Sequence, residues 1–130
     1  FLEPAAAELA AHRATDTQRA IILDAAGTMH PETGDVAPLF HADCTFHVTI
    51  LEATRNQVMQ QMRQLILTML RVSYEYGVMR PAHDPVSRAG HLKVAEAIAR
   101  HDGPAARDAM ATMLSRNARM AQAYWSEVGE

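Results

Sequence analysis

Residues 35–54, with the sequence DVAPLFHADCTFHVTILEAT, carry the clearest structural pattern of the chain. Their apolar side chains recur at the period of an amphipathic helix, at Leu39, Phe40, Phe46, Ile50 and Leu51. Pro38 falls in the first turn, where its missing N–H would have no partner within the helix in any case. The stretch therefore predicts a helix from near Asp35 to about Thr54 with one buried face.

Both sides of this stretch have the same helical character. Alanine is frequent, and the prolines fall between periodic segments. Thr15 and Gln18 have the spacing of a capping box, and Asn56 is typical of a second N-cap. Five further helices are predicted, over residues 4–13, 15–29, 56–76, 90–101 and 104–126, with 77–87 as a loop. The fold class is all-α, and segment 56–76 is expected to be its central core helix.

Composition limits the classes of function. The chain has 130 residues, 48% of them hydrophobic and 21% charged, which is typical of one globular domain. Its net charge of −3 argues against a nucleic-acid-binding surface. Cys44 is the only cysteine, so no intrachain disulfide can form and the reducing cytoplasm is the expected location. No apolar run approaches the roughly 20 residues that span a bilayer, so no membrane association is expected.

One pair in the quoted stretch suggests metal chemistry. Asp43 and His47 are four residues apart, so a helix places them on one face, close enough to hold a metal ion together. The same spacing is common in solvated ion pairs, and both interpretations stay open. His41 is about 200° from Asp43 around the helix and should face solvent. His91 either reaches the core beside Val94 or caps its helix.

The remaining polar candidates are less specific. His12, His30, His83 and His101 lie at predicted helix ends or in loops, where exposure is expected. The last helix presents a largely apolar face with Arg116 and Asn117 beside a methionine row. These two side chains suit a small carboxylate, because a guanidinium offers paired donors, or they are simply solvated. Motifs for phosphate loops, acyl-transfer triads and zinc fingers are absent.

An ordered set of short motifs resembles a known family. The set comprises Leu2-Glu3-Pro4, residues 10–15, Asp43-Cys44-Thr45-Phe46-His47, Asn56, His91 with Ala97-Ile98, and Asp102 with Ala106. Over about residues 1–120 the chain resembles the FCD effector domain, the C-terminal ligand-sensing domain of FadR-subfamily GntR-type bacterial transcription regulators. The resemblance implies an antiparallel bundle of six or seven helices around a cavity, where a divalent metal binds beside a small carboxylate effector.

The resemblance also implies a ligand set. Asp43, His47 and His91 match three of the family's four metal ligands, whereas Met113 stands where the fourth, a histidine, is expected. A thioether is a poor ligand for such ions, so the metal is either lost or completed by effector oxygens, and we expect retention. Zn²⁺ is the expected ion, with Ni²⁺ or Mn²⁺ as alternatives.

The methionine at position 113 also makes the chain resemble the galactonate-operon repressor branch of the family, whose effectors are sugar acids. The resemblance then implies that a sugar acid chelates the metal at the position that Met113 leaves open. The residues expected to bind the effector are Arg116, Asn117, Ser87, Tyr74, Tyr76 and Met113. We expect residues 1–130 to form one sensing domain. DNA would be bound only by an N-terminal winged helix-turn-helix domain outside this chain, and a homodimer is expected.

Two alternatives to a sugar-acid sensor stay open. A metal-free sensor of acyl groups is compatible with the methionine-rich core, because methionine adapts to irregular ligands. A metal-dependent enzyme would need a general base beside the metal. Glu52 is the nearest acidic residue on that helix, but it lies about 140° away from the Asp43–His47 face. We therefore expect a regulatory domain and no enzyme.

Overall fold

The computed structural model describes residues 2–29, 36–75 and 85–129, with the backbone alone for 85–87. These residues form seven helices and no strand. The helices are α1 (Leu2–Arg13), α2 (Asp16–Gly27), α3 (Val36–Ala53), α4 (Gln57–Gln61), α5 (Arg63–Glu75), α6 (Pro85–Ala99) and α7 (Gly103–Val128). The all-α helical bundle is confirmed.

Five of the helices close into a ring around the core. α1 packs against α7, α7 against α6, α6 against α2, α2 against α3, and α3 returns to α1. The inner face of α1 consists of buried alanines, so the neighbouring helices approach its backbone closely. The larger core side chains come from the other helices, chiefly Phe46, Ile50, Leu51, Ile98 and Met110. α4 and α5 lie beside this ring and pack mainly on α3.

Local capping signals set several helix ends. Thr15 and Gln18 form the complete capping box at the start of α2. The side chain of Asn56 accepts hydrogen bonds from the backbone N–H groups of Val58 and Met59 at the start of α4. Both predicted caps are confirmed, because they depend only on residues within one turn.

Two predictions about the helices were wrong. Residues 56–76 were expected to form one central core helix, but the chain forms α4 and α5, and Ile66 is the one buried residue among them in the described structure. Apolar periodicity identifies the residues that share a face, but it does not show whether that face packs on the core. Of the predicted loop 77–87, residues 77–84 lie outside the described residues, but residues 85–87 belong to α6, which begins at Pro85, since proline suits a first helical position.

Membrane insertion has no support in the described ranges, where every helix is too short or too polar to span a bilayer.

Candidate metal centre

Asp43, His47 and His91 converge in the core where α3 meets α6. Oδ1 of Asp43 lies 3.1 Å from Nε2 of His47 and 3.3 Å from Nε2 of His91. All three side chains are buried. α3 presents the first two from one face, and α6 supplies the third from its inward side, as the sequence suggested for a core-facing His91. The solvated alternatives for these residues are therefore excluded.

A second layer of side chains holds these three in place. A carboxylate oxygen of Glu3, on α1, accepts a hydrogen bond from Nδ1 of His47. The Tyr74 hydroxyl, on α5, donates to Oδ2 of Asp43 at 3.0 Å. Phe46 packs edge-on against both imidazoles, with ring centroids 5.1 Å from His47 and 4.8 Å from His91. Four helices thus meet at one polar cluster inside an apolar core.

Burial and hydrogen bonding shift the pKa values of three residues in this cluster. Burial alone would raise the pKa of Asp43, but hydrogen bonds from His47 and His91 outweigh it and hold that pKa well below its usual range. Burial would lower the pKa of His47, but the charge of Glu3 and the hydrogen bond to Asp43 raise it to about 10. Burial next to the Asp43 carboxylate raises the pKa of Tyr74. The Tyr74 hydroxyl therefore remains a proton donor.

The donor atoms fit a divalent metal. One oxygen of Asp43 and one ring nitrogen from each histidine lie within 4.8 Å of one another. Zinc bonds of about 2.0–2.2 Å place tetrahedral ligands about 3.3 Å apart, close to both Asp43–histidine separations. Glu3 accepts a hydrogen bond from Nδ1–H of His47, because a carboxylate can only accept, so the proton on Nε2, which faces Asp43, is the one that a bound metal would displace. Metal-binding histidines are usually oriented by a carboxylate in this way.

The expected effector residues do not all gather at this cluster. Met113 is buried and packs against Gly90, the residue before His91. Met113 and Arg116 line a groove of about 640 Å³ between α6 and α7, which the three clustered residues do not line. Asn117 is half-buried. Tyr74 contacts the cluster, because its hydroxyl donates a hydrogen bond to Asp43. Tyr76 and the side chain of Ser87 lie outside the described residues.

Three of the other five histidines lie within the described residues. His41, His12 and His101 are exposed, as expected, while His30 and His83 lie outside the described ranges. Glu52 is also exposed, which separates it from the buried cluster. Sequence reasoning missed Glu3. The available signal was its place inside the Leu2-Glu3-Pro4 motif, but its partner lies 44 residues along the chain.

Comparison with known proteins agrees with this architecture. The sequence model of the FCD domain matches residues 1–116. The chain is 33% identical, over 120 residues, to the galactonate operon transcriptional repressor of Escherichia coli (strain K12). The match covers 92% of this chain and 52% of the repressor, so the chain spans about half the length of that relative. The chain belongs to the FCD domain family.

Proposed function

We propose that this chain is the effector-sensing domain of a cytoplasmic bacterial transcription regulator, and that it binds a sugar acid at a divalent metal. The supporting observation is the buried cluster of Asp43, His47 and His91, whose oxygen and nitrogen donors are of the types that divalent ions bind and lie within 4.8 Å of one another. We also propose that DNA is bound by a separate winged helix-turn-helix domain of the same regulator. The greater length of the related repressor supports a further domain in proteins of this kind.

The metal would be held by Asp43, His47 and His91, with Zn²⁺ as the best candidate because imidazole and carboxylate ligands both suit it. When bound, it would supply positive charge and open coordination positions for the oxygens of a carboxylate ligand. Tyr74 holds Asp43 and Glu3 holds His47, so this chain fixes the direction in which both donors point. The Phe46 ring packs against both imidazoles and keeps this side of the site apolar.

A sugar acid is the proposed effector for two reasons. The related repressor is named for the galactonate operon. In addition, Met113 supplies no imidazole, which would leave a coordination position for the carboxylate and neighbouring hydroxyl of an aldonate. Arg116 and Asn117 are the proposed partners for its other oxygens, together with Ser87 and Tyr76.

Metal content tests the centre directly. Elemental analysis of the purified chain should give about one divalent ion per molecule. His47→Ala should lose that ion and the thermal stabilisation that accompanies it, since a ligand bound only by the folded state raises stability. His41→Ala is the matched control, because His41 lies exposed on the same helix. Equal metal content in wild type and His47→Ala would refute the centre.

Ligand class is tested by thermal shift with galactonate, gluconate, lactate and a medium-chain acyl-CoA. Sugar acids should give the largest increase in melting temperature, and chelator treatment should abolish it. Retained sugar-acid binding after chelation would contradict the metal-centred site. The largest shift from acyl-CoA would instead support the acyl-sensor alternative, for which the buried Met110 and Met113 are the favourable observation.

A further inference from the structure

A groove of about 640 Å³ lies between α6 and α7. This volume is within the range of about 300–1,000 Å³ that is usual for small-molecule sites. The three residues of the metal cluster do not line the groove. Its apolar lining consists of small side chains and one methionine, at Ala89, Gly90, Ala105, Ala109 and Met113. The groove therefore has room for a small molecule at a place separate from the proposed metal ligands.

α6 and α7 form an antiparallel pair. Residues 100–102 join the two helices, which pack along one another. Gly90 lies beside the Met113 side chain, and these two residues are equally far along the chain from the middle of the link. Residues at matching distances from the link therefore face each other across the groove. The rise of about 1.5 Å per residue gives their positions along it.

The charged side chains of the groove separate into an acidic end and a basic end. Glu96 and Asp108 line the part nearer the link, one from each helix. Lys93 and Arg116 line the part farther from the link, again one from each helix. With the helical rise, the centres of these two pairs lie about 8 Å apart along the groove. The groove therefore presents opposite charges at two separate places.

Three of these charges are available to a ligand. Lys93, Glu96 and Asp108 are exposed, and none of them forms an ion pair with another residue that the structure describes. Arg100 also lines the groove near the link, but its guanidinium lies 3.6 Å from the carboxylate of Asp102. The acidic end therefore keeps its negative charge, and Lys93 keeps the opposite charge at the other end.

We propose that this groove binds a small molecule of the ω-amino acid class, with a protonated amine at one end and a carboxylate at the other. The amine lies between Glu96 and Asp108, and the carboxylate lies beside Lys93. The methylene chain covers the apolar lining, which removes its surface from water. A simple carboxylate or a simple amine leaves one end of the groove without a counter-charge. This site depends on neither the metal centre nor the sugar acid proposed above.

Titration with 6-aminohexanoate, followed by ¹H–¹⁵N NMR, tests the site. In its extended form this probe carries its two charges at about the separation of the two ends. It should shift backbone amides within residues 89–116. It should bind up to about fivefold more tightly than hexanoate or hexylamine, because each of these lacks one exposed ion pair. Glycine should bind more weakly, since its two charges are too close to reach both ends. Chelator treatment should change none of these results.

A charge reversal tests the direction in which the ligand lies. Lys93→Glu makes both ends of the groove acidic, so this variant should prefer 1,6-diaminohexane to 6-aminohexanoate, which reverses the wild-type order. Arg63→Glu is the matched control, because it reverses an exposed charge on α5, and it should keep the wild-type order. Helical circular dichroism should be unchanged in both variants, since both positions are exposed.

Three results would overturn the proposal. The first is an unchanged order of the two probes in Lys93→Glu. The second is the absence of amide shifts in α6 and α7 with 6-aminohexanoate. The third is galactonate binding in the groove as tightly as 6-aminohexanoate, because galactonate carries no cationic group. A metal centre refuted by elemental analysis would leave the groove site standing, because none of the three proposed metal ligands lines it.

Discussion

Glu3 holds one ring nitrogen of His47 while the other ring nitrogen faces Asp43. The contact joins α1 to α3 across the bundle and fixes the orientation of the imidazole. A carboxylate in this place raises the basicity of the opposite nitrogen and selects the tautomer that a metal needs. Glu3 is therefore the residue through which the first helix would act on the proposed metal centre.

Glu3→Ala should lower metal affinity by about 10–100-fold, because the loss of such a carboxylate leaves the histidine unoriented. Glu3→Gln should cost less, since the amide oxygen can still accept from Nδ1 but carries no charge. Competition with a chelator of known affinity measures both effects. Glu8→Gln is the control on the same helix, where Glu8 pairs with Arg107 at the surface. Unchanged affinity in Glu3→Ala would show that α1 has no part in metal binding.

Tyr74→Phe should remove the hydrogen bond to Asp43 while keeping the ring that packs edge-on against Phe40, at a centroid distance of 5.1 Å. The free energy of unfolding should fall by about 1–3 kcal/mol, because a buried carboxylate loses a donor. Urea denaturation of the chelator-treated chain measures the change. Tyr124→Phe, on α7, should have little effect. Equal losses in the two variants would argue against a specific role for the Tyr74 hydroxyl.

Met113→His should tighten metal binding by at least about tenfold, or 1.4 kcal/mol. Met113 is buried and packs against Gly90, the residue before His91, and the FCD resemblance implies a fourth metal ligand at this position. The same change should weaken aldonate binding, because the new ligand would compete for the open coordination position. Competition with a chelator measures the metal affinity, and thermal shift measures aldonate binding. Met120→His, farther along α7, is the control. Tighter aldonate binding in Met113→His would contradict the proposed role of the methionine.

Gly103→Ala should change stability little, because the group that the new Cβ atom would meet can move aside. A Cβ atom at residue 103 would meet the imidazole of His12, which is the far end of an exposed side chain. The free energy of unfolding should therefore change by about 0.5 kcal/mol or less, as for substitutions that disturb only surface side chains. Gly27→Ala, with open space around its Cβ, is the control. Urea denaturation measures both variants, and a much larger loss in Gly103→Ala that His12→Ala relieves would show that the His12 ring is held in place.

Features that depend on neighbouring residues were predictable. The capping box of Thr15 and Gln18, the Asn56 cap and the shared face of Asp43 and His47 follow from hydrogen bonds and spacings within one or two helical turns. The family resemblance added His91, on another helix, to the predicted metal ligands. The interpretation of residues 56–76 failed because apolar spacing at Leu65, Met69 and Val72 is the same for a core face and for an exposed stripe.

The sequence by itself determined that the chain is helical, where several helices begin, and that α3 offers an acid and a histidine side by side. Local backbone geometry is sufficient for each of these. Only the tertiary structure decided that α1, whose small side chains allow close packing, lies against α3 and brings Glu3 to His47. It also decided that Tyr74 reaches Asp43 from α5. These contacts join residues far apart in the chain, and they depend on how whole helices pack.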